Sequence, residues 1–403
     1  MFEIIIYILL ILSLIYGFYF LIMASGVFRK KKCEIDNNKK NHFAILIAAR
    51  NEETVIKNLI NSLKKQNYPS NKYDVYVIVN NCTDNTLEVA KNAGAKIIEC
   101  KQKVKSKGEV LKYTFNKLKS NDEIDAYVIF DADNVVHREF LNKMNDSINC
   151  GYEVVQGFRD TKNICDNWLS TSYAILYYIQ SLFINKSRFN FGMSSFLNGT
   201  GFMVKKETID RYGYDPKTIT EDIEYTAICA INGIKIAFNE NAITYDEQVT
   251  DFKSSLKQRK RWSFGAIQCL KNYTGSLIKE GIKNKRFECF DVIIFYFGII
   301  FHVLFTIVSL IGIFYNVFYL NDFNSMDVVI YFIMFLINYF IGVVFRMIVI
   351  KKCNKSIKEN ILGILLFDLF VLSWFPINFI CLFIKDCNWD HIKHDRNVDT
   401  LNI

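Results

Sequence analysis

From Ile4 to Phe28 the chain runs IIIYILLILSLIYGFYFLIMASGVF without one charged residue. At ~1.5 Å of helical rise per residue, a stretch of about 25 residues extends ~37 Å, enough to cross a hydrocarbon layer of ~30 Å with some tilt. Three more such stretches lie at the far end, at about Val292–Leu320, Val328–Ile350 and Asn360–Ile384. Hydrophobic residues make up 51% of the 403, and the mean hydropathy of +0.12 exceeds that of ordinary soluble chains. Any fold must therefore combine membrane helices with whatever the polar middle builds. Disorder is excluded, because 35 Phe and 22 Tyr are too many apolar rings for a chain that stays unfolded.

Charge sets the expected orientation. Lys+Arg 49 against Asp+Glu 41 gives +8. A cleavable signal would carry a basic start, whereas here Glu3 precedes the apolar run and Arg29, Lys30, Lys31 and Lys32 follow it. The positive-inside rule then puts the N-terminus outside and the middle of the chain in the cytoplasm. The loop Asn321–Asp327, without Lys or Arg, reads as external, and the basic KKCNKSIKE reads as cytoplasmic. Four crossings would leave the tail after Lys385 outside; a last segment that does not fully cross would leave it against the inner face. Arg346 and Asp368 are both embedded in apolar sequence: Arg346 is close enough to Lys351 to snorkel, and the two residues can otherwise pair between neighbouring helices or line a polar conduit.

Between Lys30 and about Phe287 strands alternate with helices. HFAILIAA, YDVYVIVN, AKIIE and DAYVIF read as buried strands, and Val55, Ile56, Leu59, Ile60 and Leu63 recur at helical spacing after the first of them. That alternation implies an α/β domain with a mostly parallel sheet and ligands at the carboxyl ends of the strands. No Gly-rich dinucleotide fingerprint or P-loop follows any of these strands, which argues against NAD and P-loop nucleotide chemistry.

The polar residues at those strand ends carry the functional signal. Glu52 follows the first strand, Asn80 ends the second, and Asp131 and Asp133 follow the fourth in FDADN. Two carboxylates one residue apart suit a hard divalent cation that also grips phosphate. The same pair is more often a solvated turn. Thr220–Glu221–Asp222 is a second acidic site, otherwise readable as a helix cap. Gln258-Arg259-Lys260-Arg261-Trp262 joins guanidinium groups suited to a diphosphate with a ring able to stack on a sugar. Its bland reading is a basic helix on a membrane surface. ICDNWLSTSYAILYYIQSLFI reads as either an interfacial or a buried helix.

The ordered run NE, NCTD, DAD, NGTG, TED, QRKRW resembles the membrane-integrated members of glycosyltransferase family 2, which include cellulose, hyaluronan and poly-N-acetylglucosamine synthases. The resemblance covers roughly Phe43 to Leu270 and the arrangement of flanking spans. It implies a GT-A domain on the cytoplasmic side of an integral membrane protein, transferring a sugar from a UDP-sugar with inversion. Asp131 and Asp133 match the motif that places Mg²⁺ or Mn²⁺ on the donor diphosphate. Asp222, with Glu221 beside it, matches the general base. Gln258, Arg259, Arg261 and Trp262 match the motif that holds the diphosphate and closes over the acceptor. Glu52, Asn80 and Lys107 fall on the donor side, and Gly199 and Thr200 on the acceptor side. Asn80 departs from the usual Asp, leaving donor identity open, and DEQVT lacks a common proline.

These expectations divide the chain into an N-terminal span (1–28), a GT-A domain (29–254), the QRKRW and interfacial helices (255–289), about three spans (290–384) and a short tail (385–403). Two acceptors compete. A growing β-glycan is favoured by TED with QRKRW, and would call for an export partner or a homo-oligomer because four spans are few for a conduit. The alternative is a single transfer to a membrane lipid, as in glucosylceramide-type synthases. No nucleic-acid partner is expected.

Overall fold

The computed structural model describes residues 2–31, 39–102, 104, 106–318 and 325–387. Most of the loop expected to be external and all of the tail beyond 387 lie outside them.

The middle of the chain builds one eight-stranded sheet. Its strands are β1 Phe43–Ala49, β2 Tyr73–Val79, β3 Lys96–Glu99, β4 Ala126–Asp131, β5 Val135–Val136, β6 Val154–Thr161, β7 Phe202–Lys205 and β8 Ile236–Asp246. They are ordered β3-β2-β1-β4-β7-β6-β8-β5. The four strands legible in the sequence are β1 to β4, and they pair in parallel. The other half is mixed: β7 runs antiparallel to both β4 and β6, and β5 antiparallel to β8. The carboxyl ends of β1, β2, β4, β6 and β8 and the start of β7 consequently share one edge.

Side-chain alternation sorts the sheet's two faces. Phe43, Ile45, Ile47, Val128 and Phe130 pack against α2 (Ile56–Lys64) and α5 (Phe140–Asn149), with α3 (Thr86–Asn92) beside them. Ala44, Leu46, Ile78, Tyr127 and Ile129 face α4 (Lys107–Leu118), α8 (Lys206–Tyr212) and α9 (Glu221–Asn232). With both faces covered, the strands can be continuously apolar.

Among the described residues, four helical segments are long and apolar enough to cross a membrane, at Tyr7–Phe28, Phe287–Phe314, Val328–Lys352 and Ile361–Cys381. They belong to α1 (Phe2–Ala24), α11 (Phe287–Phe318), α12 (Ser325–Lys352) and the pair α13 (Ile361–Leu372) and α14 (Trp374–Cys381). The last segment is thus two helices, not the single one expected. Every residue from Val328 to Asn338 of α12 is exposed, whatever face it occupies. Arg346 and Asp368 take the paired arrangement, two-pronged at 2.6 and 2.9 Å between α12 and α13.

Two elements join these segments to the sheet. α6 (Trp168–Ile179) continues through a π-helical turn, Gln180–Lys186, into α7 (Ser187–Asn190). It is a buried helix: Leu169, Tyr173, Ile175 and Tyr178 are enclosed, and a Cβ at Gly363 of α13 would lie 2.2 Å from the Cβ of Thr171. Arg188 of α7 is fully buried in a two-pronged bond to Asp291 of α11, which Tyr19 of α1 also reaches. The second connector, α10 (Phe252–Lys283), is one long helix carrying QRKRW.

Candidate active site

At the shared strand edge lies a cavity of about 330 Å³, walled by α4, α6, α9, α10 and the loop before β7. Each wall has a local reason for its place. Ser106 caps α4 by accepting from the Glu109 amide (3.2 Å), which fixes Lys107 in the first turn. The Lys107 ammonium bonds Asp131 Oδ1 (2.5 Å) and the Gly199 carbonyl (2.7 Å), and stands 3.9 Å from Glu221. Gly108 admits this approach, because a Cβ there would sit 2.6 Å from Pro216 and 2.9 Å from the Glu221 side chain. Gly199 has φ +88°, and a Cβ on it would meet Asp222 Oδ2 at 3.3 Å. Only glycine takes that conformation without strain and leaves the carboxylate open.

The electrostatics are those of buried carboxylates beside a cation. Burial pushes Glu221 up from 4.5 to about 7; Lys107 opposes the shift and the adjoining Asp222 adds to it. Burial likewise raises Asp222, against the Ile223 amide, Lys107 and Arg261. For Lys107 burial works against the charge, but Asp131 and Glu221 outweigh it and hold the ammonium above its usual range. Glu221, raised in this way, accepts a proton near neutrality.

Helical spacing decides what QRKRW presents. Gln258, Arg261 and Trp262 (i, i+3, i+4) share a face, and all three line the cavity. Trp262 stands edge-on to Tyr173 and Tyr177, with ring centroids 6.0 and 6.3 Å away. Arg259 is turned about 100° from Gln258. Contrary to expectation, it is fully buried away from the cavity, bonding the Phe370 carbonyl (3.0 Å) and Ser373 Oγ (2.8 Å). That spacing was readable in the sequence.

Of the expected residues, Lys107, Asp131, Gly199, Glu221, Asp222, Gln258, Arg261 and Trp262 are brought together. Glu52, Asn80, Asp133 and Thr200 are not part of the cavity wall. Asn80 uses its amide to hold the Cys100 carbonyl (3.1 Å), and the Glu52 backbone N–H bonds Thr86 Oγ1 (2.8 Å) at the end of β1. Thr200 is no acceptor-side group: fully buried, its hydroxyl accepts from the Asp131 amide (3.0 Å) and so steadies the DAD turn. Asp133 Oδ2 accepts from the Glu247 amide (3.0 Å).

Arg159 and Asn198 are among the lining residues that had not been singled out. Arg159 of β6 is held by Asp246 (2.6 Å), lies 3.8 Å over the Tyr177 ring, and donates to the Asn198 carbonyl (2.9 Å). It sits in no motif. Asn198 is 7% exposed, and neither atom of its carboxamide has a protein partner. Its signal was the NGTG run itself, one residue before the glycine.

Among the described residues no three His, Cys, Asp or Glu side chains cluster to form a metal cage. Asp131, in the cavity wall, nevertheless fits a cation that takes its remaining ligands from a diphosphate and water, whereas Asp133 lies outside that wall with one oxygen on the Glu247 amide. One Asp131 oxygen already holds the Lys107 ammonium, so the position attracts positive charge.

A family model described as "Glycosyltransferase like family 2" matches residues 40–265. The chain is 22% identical over 374 residues to the probable glycosyltransferase YdaM of Bacillus subtilis, covering 87% of this chain and 83% of that one. It is 23% identical over 233 residues to the beta-monoglucosyldiacylglycerol synthase of Synechocystis, covering 57% of this chain and 48% of that one. The chain therefore spans about half the length of that synthase. In three dimensions it is similar to the mannosyltransferase PcManGT of Pyrobaculum calidifontis, solved with GDP-Man and Mn²⁺, at a TM-score of 0.65 and 13% identity, covering 96% of this chain and 100% of that one. The likeness shows a GT-A fold. With more than half of its length matched by that family model, the chain belongs to glycosyltransferase family 2.

Proposed function

We propose that the protein is a membrane-integrated, inverting glycosyltransferase that moves a sugar from a nucleoside-diphosphate donor to the hydroxyl of a lipid at the inner leaflet. The observation that carries the acceptor is the make-up of the cavity wall beside Asp222. Ile184, Ile223, Phe295 and Trp374 line it, the last two from the apolar segments α11 and α14. A wall of that kind suits a head group whose apolar body stays in the bilayer. The exposed outer half of α12 supports the same reading, since this helix adds no side to a private sugar conduit.

In this reading Asp222 takes the proton from the attacking hydroxyl as its oxygen bonds the anomeric carbon. The bond from that carbon to the donor phosphate breaks on the opposite face, which inverts the configuration. Lys107 and Arg261 face the departing diphosphate and Gln258 donates to it, so negative charge develops against groups already in position. When bound, Mg²⁺ or Mn²⁺ held by Asp131 and Asp133 would neutralise further diphosphate charge. Glu221 keeps Lys107 charged and sets the proton affinity of its neighbour.

A growing glycan remains the second reading, favoured by the Trp262 ring in the cavity wall. The test is to incubate the purified protein in nanodiscs with radiolabelled UDP- and GDP-sugars and separate the products. Label in the chloroform phase supports the lipid acceptor; label in high-molecular-weight material overturns it.

A further inference from the structure

The last apolar segment is long enough to cross a bilayer, but from its start to its end it is bound to α6 and α10. Thr171 of α6 bonds the Asn360 side chain (3.1 Å) just before α13 begins. Arg259 of α10 meets Phe370 and Ser373 where α13 breaks. Beyond the break, Trp374 Nε1 donates to Ser263 Oγ (3.0 Å) and Ser263 donates to Asn378 Oδ1 (2.6 Å). At the end of α14, Cys381 Sγ lies 3.5 Å from the carbonyl of Lys260. α14 thus lies along α10, with Trp374 and Asn378 both meeting Ser263 and Cys381 meeting Lys260. The helices that receive the two ends are themselves joined, through Tyr173 and Ser255 (2.8 Å).

A helix break at membrane depth frees backbone carbonyls that lipid cannot satisfy. Here a guanidinium does so together with the Ser373 hydroxyl, which donates to the same carbonyl (2.7 Å). Arg259 bonds the freed Phe370 carbonyl and lies 4.6 Å over the Phe370 ring and 5.4 Å from the Trp374 ring. The same helix, one turn on, carries Arg261 and Trp262 into the cavity that Trp374 also lines.

We propose that residues 361–381 enter and leave the inner leaflet on one side instead of crossing, and that Arg259 is a positioning residue that clasps their bend, seating Trp374 as the membrane-facing wall of the cavity. The inference rests on the reading of α1, α11 and α12 as crossings, and leaves three of them. The tail then lies in the cytoplasm.

Two experiments on the full chain test it. With a reporter fused after Ile403, a fluorescent green fluorescent protein and an inactive alkaline phosphatase are expected; an active phosphatase there overturns re-entry. The same phosphatase fused after Asn321 should be active, and its silence would sink the membrane reading itself and re-entry with it. For the clasp, the affinity of UDP or GDP, whichever the parent binds, is measured with Mn²⁺. Arg259→Met should keep it within about twofold while lowering kcat, whereas Arg261→Met should weaken it by about tenfold or more. Ser373→Ala, which removes one partner of the clasp, should lower kcat in the same direction. A tenfold loss of nucleotide affinity in Arg259→Met, or parental kcat in both clasp variants, overturns the assignment.

Discussion

Gly265 lies so close to Thr220 that a Cβ added to it would sit 2.2 Å from the threonine hydroxyl oxygen. This single approach seats α10 against the start of α9, and so brings Gln258 and Arg261 to the carboxylates of Glu221 and Asp222. Gly265→Ala is expected to cut kcat/KM at least about tenfold while far-UV circular dichroism stays unchanged, because one methyl group would push the two elements apart by about 1 Å. Parental activity in this variant would mean that the two helices need not touch.

Asp222→Asn should abolish transfer and leave nucleotide binding largely intact, since the amide cannot take the hydroxyl proton. Glu221→Gln should be milder, of the order of tenfold, through its effect on Lys107 and Asp222. Turnover of each variant, measured beside its affinity for the nucleotide, separates the two roles.

The pH dependence has a definite sign. Glu221 is raised from 4.5 to about 7 in the folded protein, so between those values the native state binds more protons than the unfolded one. Its contribution to stability is present in full below 4.5 and is lost as the pH rises through about 7. The melting temperature should therefore decline across that window, by no more than ~3 kcal/mol of stability, and Glu221→Gln should flatten the decline. Activity should move oppositely, rising with pH as the Asp222 pair deprotonates.

Asn198 presents a buried carboxamide without protein partners, an arrangement that costs about 1–3 kcal/mol unless a ligand answers it. Asn198→Ala should leave the melting temperature unchanged or slightly higher and raise the acceptor KM by about tenfold or more. A lower melting temperature with an unchanged KM would assign the residue to structure alone.

Chelation supplies the metal test. EDTA should stop transfer and either Mg²⁺ or Mn²⁺ should restore it, with Asp131→Asn resisting rescue. Full activity after exhaustive chelation would remove the cation from the proposal.

Much of this architecture is local in origin and therefore legible. The length of the membrane-scale apolar runs, the short continuous apolar runs of β1 and β4, and the carboxylates at and just past the end of β4 each follow from a few neighbouring residues. The three cavity-lining members of QRKRW were also readable, because a helix returns i, i+3 and i+4 to one face. Arg159 was not, since nothing adjacent in sequence marks it; it reaches the cavity only because β6 lies two strands from β4.

The chain's order of residues by itself determined which segments are apolar enough for a bilayer, where the first four strands run, and which acids stand at their ends, because propensity and periodicity act over a few residues. Only the tertiary structure decided that β7 inserts antiparallel, that Arg259, already off the cavity face by helical spacing, finds its partners at the end of α13, and that Glu221 is raised toward neutrality. Those outcomes depend on partners far away in sequence, whose packing and charge no local pattern encodes.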